Sequence, residues 1–106
     1  MNEPTVGAKL LLSYDINMEN DTNAYFRFFL GRYIPVMQAL GMEVSEAWHT
    51  AYGDYPNRLV GFVTRDMQQA LALPQNKNWL QLNQELMTFV TNFSYKIIPY
   101  REGFQF

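Results

Sequence analysis

From Ala8 to Ile16 apolar and polar positions alternate. Leu10, Leu12, Tyr14 and Ile16 share one parity and Lys9, Leu11, Ser13 and Asp15 the other, the period-2 signature of a strand. After the polar stretch Asn17–Asp21 the period changes. Phe26, Phe29, Leu30, Tyr33, Met37 and Leu40 recur at helical spacing, which predicts a helix from about Asn23 to Leu40. Asn20, Asp21 or Thr22 can cap its start, and Gly41 stands where a left-handed residue closes a helix. Pro35 lies inside it, removes one backbone donor and presses on the Gly31 carbonyl, so a kink is expected there.

Alternation returns over Glu43–Tyr52, breaks at Gly53-Asp54-Tyr55-Pro56-Asn57, and resumes over Arg58–Thr64, which reads as a hairpin. Gly61 inside the second of these strands predicts a close approach by a helix or another backbone. Asp66 can cap a short helical segment that Pro74 ends. A second main helix is predicted from Trp79 to about Thr91, with a stripe of Trp79, Leu82, Leu86 and Phe89 or Val90, and a last strand from Phe93 to Tyr100.

The order strand, helix, strand, strand, helix, strand is the ferredoxin-like βαββαβ plan of the α+β class. It gives a four-stranded antiparallel sheet with two helices on one face. A chain of 106 residues is one domain, 1–106, with its core at about 8–100. Apolar residues occur on both parities of the first and third strands, so either parity can face the helices. The other sheet face then presents apolar and aromatic residues to water. Two such sheets facing each other hide them, which predicts a homodimer.

Composition narrows the function. Eight basic residues scattered from Lys9 to Arg101, in a chain of net charge −2, form no run that could track a phosphate backbone, so no nucleic-acid partner is expected. The sequence has no Cys, which excludes disulfides, thiolate metal sites and cysteine nucleophiles, and fits a cytoplasmic setting. The first residues lack a signal-peptide pattern and no run reaches the roughly 20 apolar residues of a membrane helix, so no membrane partner is expected. No phosphate-binding glycine motif or nucleophile elbow occurs. With Phe 8, Tyr 7 and Trp 2, the ring area exceeds what a small two-layer core needs, and some of it should line a cavity or an interface.

His49 is the sole histidine and the candidate catalytic residue, as general base or proton shuttle; its other reading is a hydrogen-bonded strand histidine. Without a second His or any Cys, no metal site is expected. Tyr14, Trp48, Tyr52, Phe62 and Tyr95 are the candidate ligand-binding residues, as aromatic walls for a small apolar or aromatic molecule; the same rings could instead fill a dimer core. Asp15 and Glu46 are the carboxylates nearest such a cavity, and Arg27 and Arg32 flank the first helix stripe.

Four stretches carry a family resemblance: "LLLSYDI", "RYIPVMQALGM", "AWHTAYGDYPNRLVGFVTRD" and "NKNWLQLNQELMTFVTNFSYKIIPY". Over about residues 8–100 the chain resembles the dimeric α/β-barrel superfamily, and within it the NIPSNAP-type proteins most. The resemblance implies the fold and the dimer. It spans antibiotic-biosynthesis-type monooxygenases, haem-degrading enzymes, stress-responsive barrels and ligand-sensing domains, so it implies chemistry less narrowly. The haem-degrading members use an Asn, a Trp and a His together. Here Trp48 directly precedes His49, which puts the two on opposite strand faces, and no cofactor is expected. The reading that follows is a cavity-bearing homodimer, as a cofactor-independent monooxygenase of phenols or quinols. Its alternative is a non-catalytic ligand-binding, sensing or dimerisation module.

Overall fold

A computed structural model of the chain describes residues 6–16, 22–49 and 58–101, with side chains described at 7–16, 22–47 and 58–100. Four strands, β1 (Val6–Ile16), β2 (Glu43–His49), β3 (Arg58–Thr64) and β4 (Val90–Arg101), form one sheet in the order β2-β3-β1-β4 with every neighbouring pair antiparallel. This is the ferredoxin-like arrangement expected from the order of elements. The polar stretch Asn17–Asp21 with the cap candidates Asn20 and Asp21, the expected end of the strand at Thr50–Tyr52, and the expected turn Gly53–Asn57 lie outside the described residues.

The first helical region is not one α-helix. It consists of α1 (Thr22–Phe28), a π-helical turn (Phe29–Tyr33) and α2 (Ile34–Ala39), and the Ile34 amide bonds the Phe29 carbonyl five residues back. The widened turn directly precedes Pro35, whose ring would otherwise press on the Gly31 carbonyl. The expected kink is thus taken up as a π-bulge. The bulge also explains which residues are buried. Tyr25, Phe29, Tyr33 and Met37 recur every four residues and all lie in the core, whereas Leu30 is 62% exposed and Phe26 37%. At about 100° per residue, a plain α-helix would rotate that four-residue series steadily off the sheet; the inserted residue returns it. The rings of Tyr25, Phe29 and Tyr33 stack in succession, with centroids 5.7 and 5.3 Å apart. Gly41 closes α2 at φ 83°, with Met42 N bonding Met37 O and Gly41 N bonding Gln38 O, the paired bonds of a Schellman motif.

Beyond β3, Asp66 caps α3 (Met67–Ala72) by accepting from the Gln68 amide at 2.9 Å. Leu73–Gln75 form a 3-10 turn, and Asn76 caps α4 (Lys77–Leu86) through the Trp79 amide. α4 ends about five residues earlier than its stripe suggested, and Val90 belongs to β4. The reason is pairing: Asp15 and Ile16 at the end of β1 take Thr91 and Val90 as partners across a bulge. Asn92 at φ 57° turns the backbone there and donates to the Asp15 carboxylate at 2.9 Å.

The parity question is resolved. Leu10, Leu12, Tyr14 and Ile16 face the helices with Val60 and Phe62, and form the core with Trp79, Leu82 and Leu86. The opposite face is mixed rather than uniformly apolar: Leu11, Leu59, Val63, Ile98 and Tyr100 are half-buried there, alongside a Lys9–Glu46 ion pair. Gly61 makes room for that pair. A Cβ at Gly61 would stand 2.7 Å from Glu46 Oε1 and 3.0 Å from Lys9 Cε, so side chains, and neither a helix nor a backbone, occupy the space.

Candidate functional site

Two buried hydroxyl clusters lie between the helices and the sheet. In the first, Tyr33 Oη accepts from Trp79 Nε1 at 3.1 Å and donates to Asn83 Oδ1 at 2.7 Å. Every hydroxyl bond here is made within the chain, and it ties the π turn to α4. Burial pushes the Tyr33 hydroxyl well above its ordinary pKa, partly offset by the bond from Trp79.

The second cluster lies near the end of β1. Register puts Tyr14 of β1 opposite Arg58 of β3, and Arg58 opposite His49 of β2, so the three form one row across neighbouring strands. From α1, Tyr25 reaches down so that its hydroxyl is 2.5 Å from that of Tyr14. Phe93 stacks on Tyr14 at 6.3 Å. The Arg58 guanidinium lies 5.5 Å from the Phe26 ring centroid and 6.0 Å from that of Phe29. Its Nε is buried and has no hydrogen-bond partner among the described residues.

Burial raises the Tyr14 hydroxyl far above the usual tyrosine range, and neighbouring Tyr25 raises it further. Tyr25 is also raised, again mainly by burial; its bond with Tyr14, the Arg58 charge and a bond to Arg58 pull the other way. Both tyrosines are therefore neutral at physiological pH. They can donate and accept hydrogen bonds but cannot act as bases.

The residues singled out in the sequence divide as follows. Tyr14 and Phe62 are fully buried on the helix-covered face. Tyr95 shares that face on β4, where it is 42% exposed and meets Trp79 edge-on at 5.0 Å. Trp48 pairs in register with Leu59, whose face is the one opposite the helices, so it is not in the His49 row. Arg32 forms a two-pronged pair with Glu85, both contacts 2.7 Å, joining the π turn to α4 on the surface. Tyr25 and Arg58 were not singled out. The four-residue spacing Tyr25, Phe29, Tyr33, Met37 was the signal for Tyr25; nothing local marks Arg58, which gains its meaning only from strand pairing.

At the other end of the sheet an open cavity of about 590 Å³ lies between Gly7, Gly41, Glu43, Thr64, Asp66 and Tyr100. Thr64 and Asp66 are engaged in capping the turn into α3, and none of the described candidate side chains lines it. We therefore locate the candidate site at the Tyr14–Tyr25–Arg58 cluster, where a buried donor is unused. No group of three or more metal-ligating side chains occurs among the described residues.

Sheet order, helix placement and site position together define a ferredoxin-like α+β protein. The chain is similar in fold to a NIPSNAP family protein from Agrobacterium tumefaciens, with a TM-score of 0.64 and 9% identity over 98% of this chain and 93% of that one. It is similar to a hydroxynitrile lyase from Passiflora edulis, with a TM-score of 0.69 and 8% identity over 97% and 100%. A dimeric protein of unknown function and ferredoxin-like fold from Bacteroides fragilis matches with a TM-score of 0.56 and 10% identity over 90% and 95%. At these identities the likeness is one of fold. No protein-family model matches the sequence, and no curated protein matches it. No helix among the described residues is long and apolar enough to cross a membrane.

Proposed function

We propose that the chain is a NIPSNAP-like protein, active as a homodimer, that binds a small aromatic or apolar molecule at the Tyr14–Tyr25–Arg58 end of its sheet. The observation behind this reading is the row Tyr14, Arg58, His49 with Tyr25 above it. That row brings two hydroxyls and a guanidinium beside the rings of Phe26, Phe29 and Phe93, with the sole histidine of the chain at the next register position on β2. Because the tyrosines stay neutral, proton acceptance falls to His49.

In its catalytic form the site is a cofactor-independent monooxygenase of phenols. His49 takes the phenolic proton and the electron-rich ring reduces dioxygen. One oxygen atom becomes a new ring carbonyl; the other leaves as water with the phenolic hydrogen and the displaced ring hydrogen. The products are a quinone and water. Dimerisation is supported by the half-buried apolar residues on the open sheet face and by the dimeric relative in fold.

Oxygen uptake with a panel of phenols tests catalysis, and saturable binding of the same panel tests the site. Uptake that disappears in His49→Ala supports the enzyme; binding without uptake leaves the non-catalytic module. Absence of both removes the functional reading. Light scattering reads the oligomer: Leu11→Arg, at the centre of the open face, should give a folded monomer, and a wild-type monomer would exclude the homodimer.

A further inference from the structure

We propose that the molecule bound at this cluster is an aromatic anion with its charge on oxygen, such as an arenecarboxylate or phenolate, accepted by the Nε–H of Arg58. This rests on the reading of the cluster as a ligand site and names the class of ligand.

The argument starts from the donors. A guanidinium carries five N–H groups and cannot be deprotonated in a protein, so each one buried needs an acceptor. Nε of Arg58 is buried and has none among the described residues. Among the described residues, the groups that face Arg58 supply no negative charge. They are the neutral hydroxyls of Tyr14 on β1 and Tyr25 on α1, the rings of Phe26 and Phe29, and the His49 register position on β2. The Lys9–Glu46 pair lies on the opposite sheet face, and the Arg32–Glu85 pair lies on the surface between the π turn and α4.

An aromatic face under a guanidinium holds the cation in place and leaves its edge free for a planar oxyanion. Tyr25, bonded to Tyr14 and within the influence of the Arg58 charge, supplies a neutral hydroxyl near that edge. Phe26 is 37% exposed, so an apolar ligand body can reach the same point from solvent. A neutral apolar molecule would use the rings and leave Nε unpaired; an arenecarboxylate uses both.

The test uses matched probes, 1-naphthoate and 1-naphthamide, which differ in charge and little in shape. The Arg58 Nε–H resonance and the backbone amides of Tyr14, Tyr25 and Arg58 are followed by nitrogen-proton correlation NMR. The expected result is saturable binding of naphthoate at least tenfold tighter than naphthamide, with the largest shift at Arg58 Nε–H. Arg58→Lys keeps a cation but loses the planar fork, and should lower the tenfold preference to about twofold or less with an otherwise unchanged spectrum. Equal binding of both probes at the cluster would overturn the anion assignment and leave the ligand site standing. Shifts at none of these three residues with either probe would remove the ligand-site reading, and the anion with it.

Discussion

The two buried tyrosine clusters use the same chemical groups and end differently. Around Tyr33 the hydrogen bonds close on themselves: Trp79 gives, Asn83 receives, and the hydroxyl between them has one partner on each side. Around Tyr14 and Tyr25 the two hydroxyls bond each other beside Arg58, whose buried Nε has no partner among the described residues. A closed network fastens one element to another, here the π turn to α4. A network with an unused donor stores a hydrogen-bonding capacity that a ligand can use. The difference fits the proposed reading, in which one cluster is structural and the other is the ligand site.

Mutations can break that comparison or sharpen it. The largest effect is expected for Trp79→Ala, which removes a fully buried ring and the donor to Tyr33. Chemical denaturation should show a loss of about 3–5 kcal/mol. Tyr33→Phe comes next, at about 1–3 kcal/mol, because it leaves Trp79 Nε1 and Asn83 Oδ1 buried and unpaired. Tyr25→Phe should cost less than Tyr33→Phe, since its cluster already carries an unmade bond. Equal losses in the two variants would dissolve the distinction between the clusters.

Alkaline titration probes both clusters at once. Tyr14, Tyr25 and Tyr33 have raised pKa values in the folded state. Above about pH 10 the unfolded chain loses phenolic protons that the folded chain keeps, so it binds fewer protons and stability falls as pH rises. The stabilisation is full below that pH. The slope is about 1.4 kcal/mol per pH unit for each such tyrosine, and Tyr33→Phe should remove one tyrosine's share. The smallest effect on stability is expected for Arg58→Met, under about 1 kcal/mol, because an apolar side chain can pack beside Phe26 and Phe29 where the guanidinium lay, while the unpaired donor is gone. A loss as large as that of Tyr33→Phe would place Arg58 among the structural residues.

Much of the fold was legible from local chemistry. The bounds of β3, the caps Asp66 and Gly41, and the alternation of β1 all follow from residues a few positions apart, and each agrees with the structure. The boundary between α4 and β4 was not legible. Thr88, Phe89 and Val90 continue a plausible helical stripe, and only the partners offered by Asp15 and Ile16 draw the chain into the sheet. The π turn sits between these cases. Pro35 announced a disturbance, and the four-residue spacing from Tyr25 to Met37 recorded its form, but the two must be read together.

The sequence by itself determined the order of elements, the ferredoxin-like plan and the alternating strand pattern, because backbone propensity, capping and hydrophobic period act over a few residues. Tertiary structure alone decided which parity of β1 meets the helices, since both parities carry apolar side chains and only packing against Tyr25, Phe29 and Tyr33 distinguishes them. It also decided the candidate site. Tyr14, Tyr25, His49 and Arg58 come from three strands and a helix, and strand register and the closure of helix onto sheet bring them together. Those long-range pairings depend on the whole core forming at once, and no local pattern encodes them.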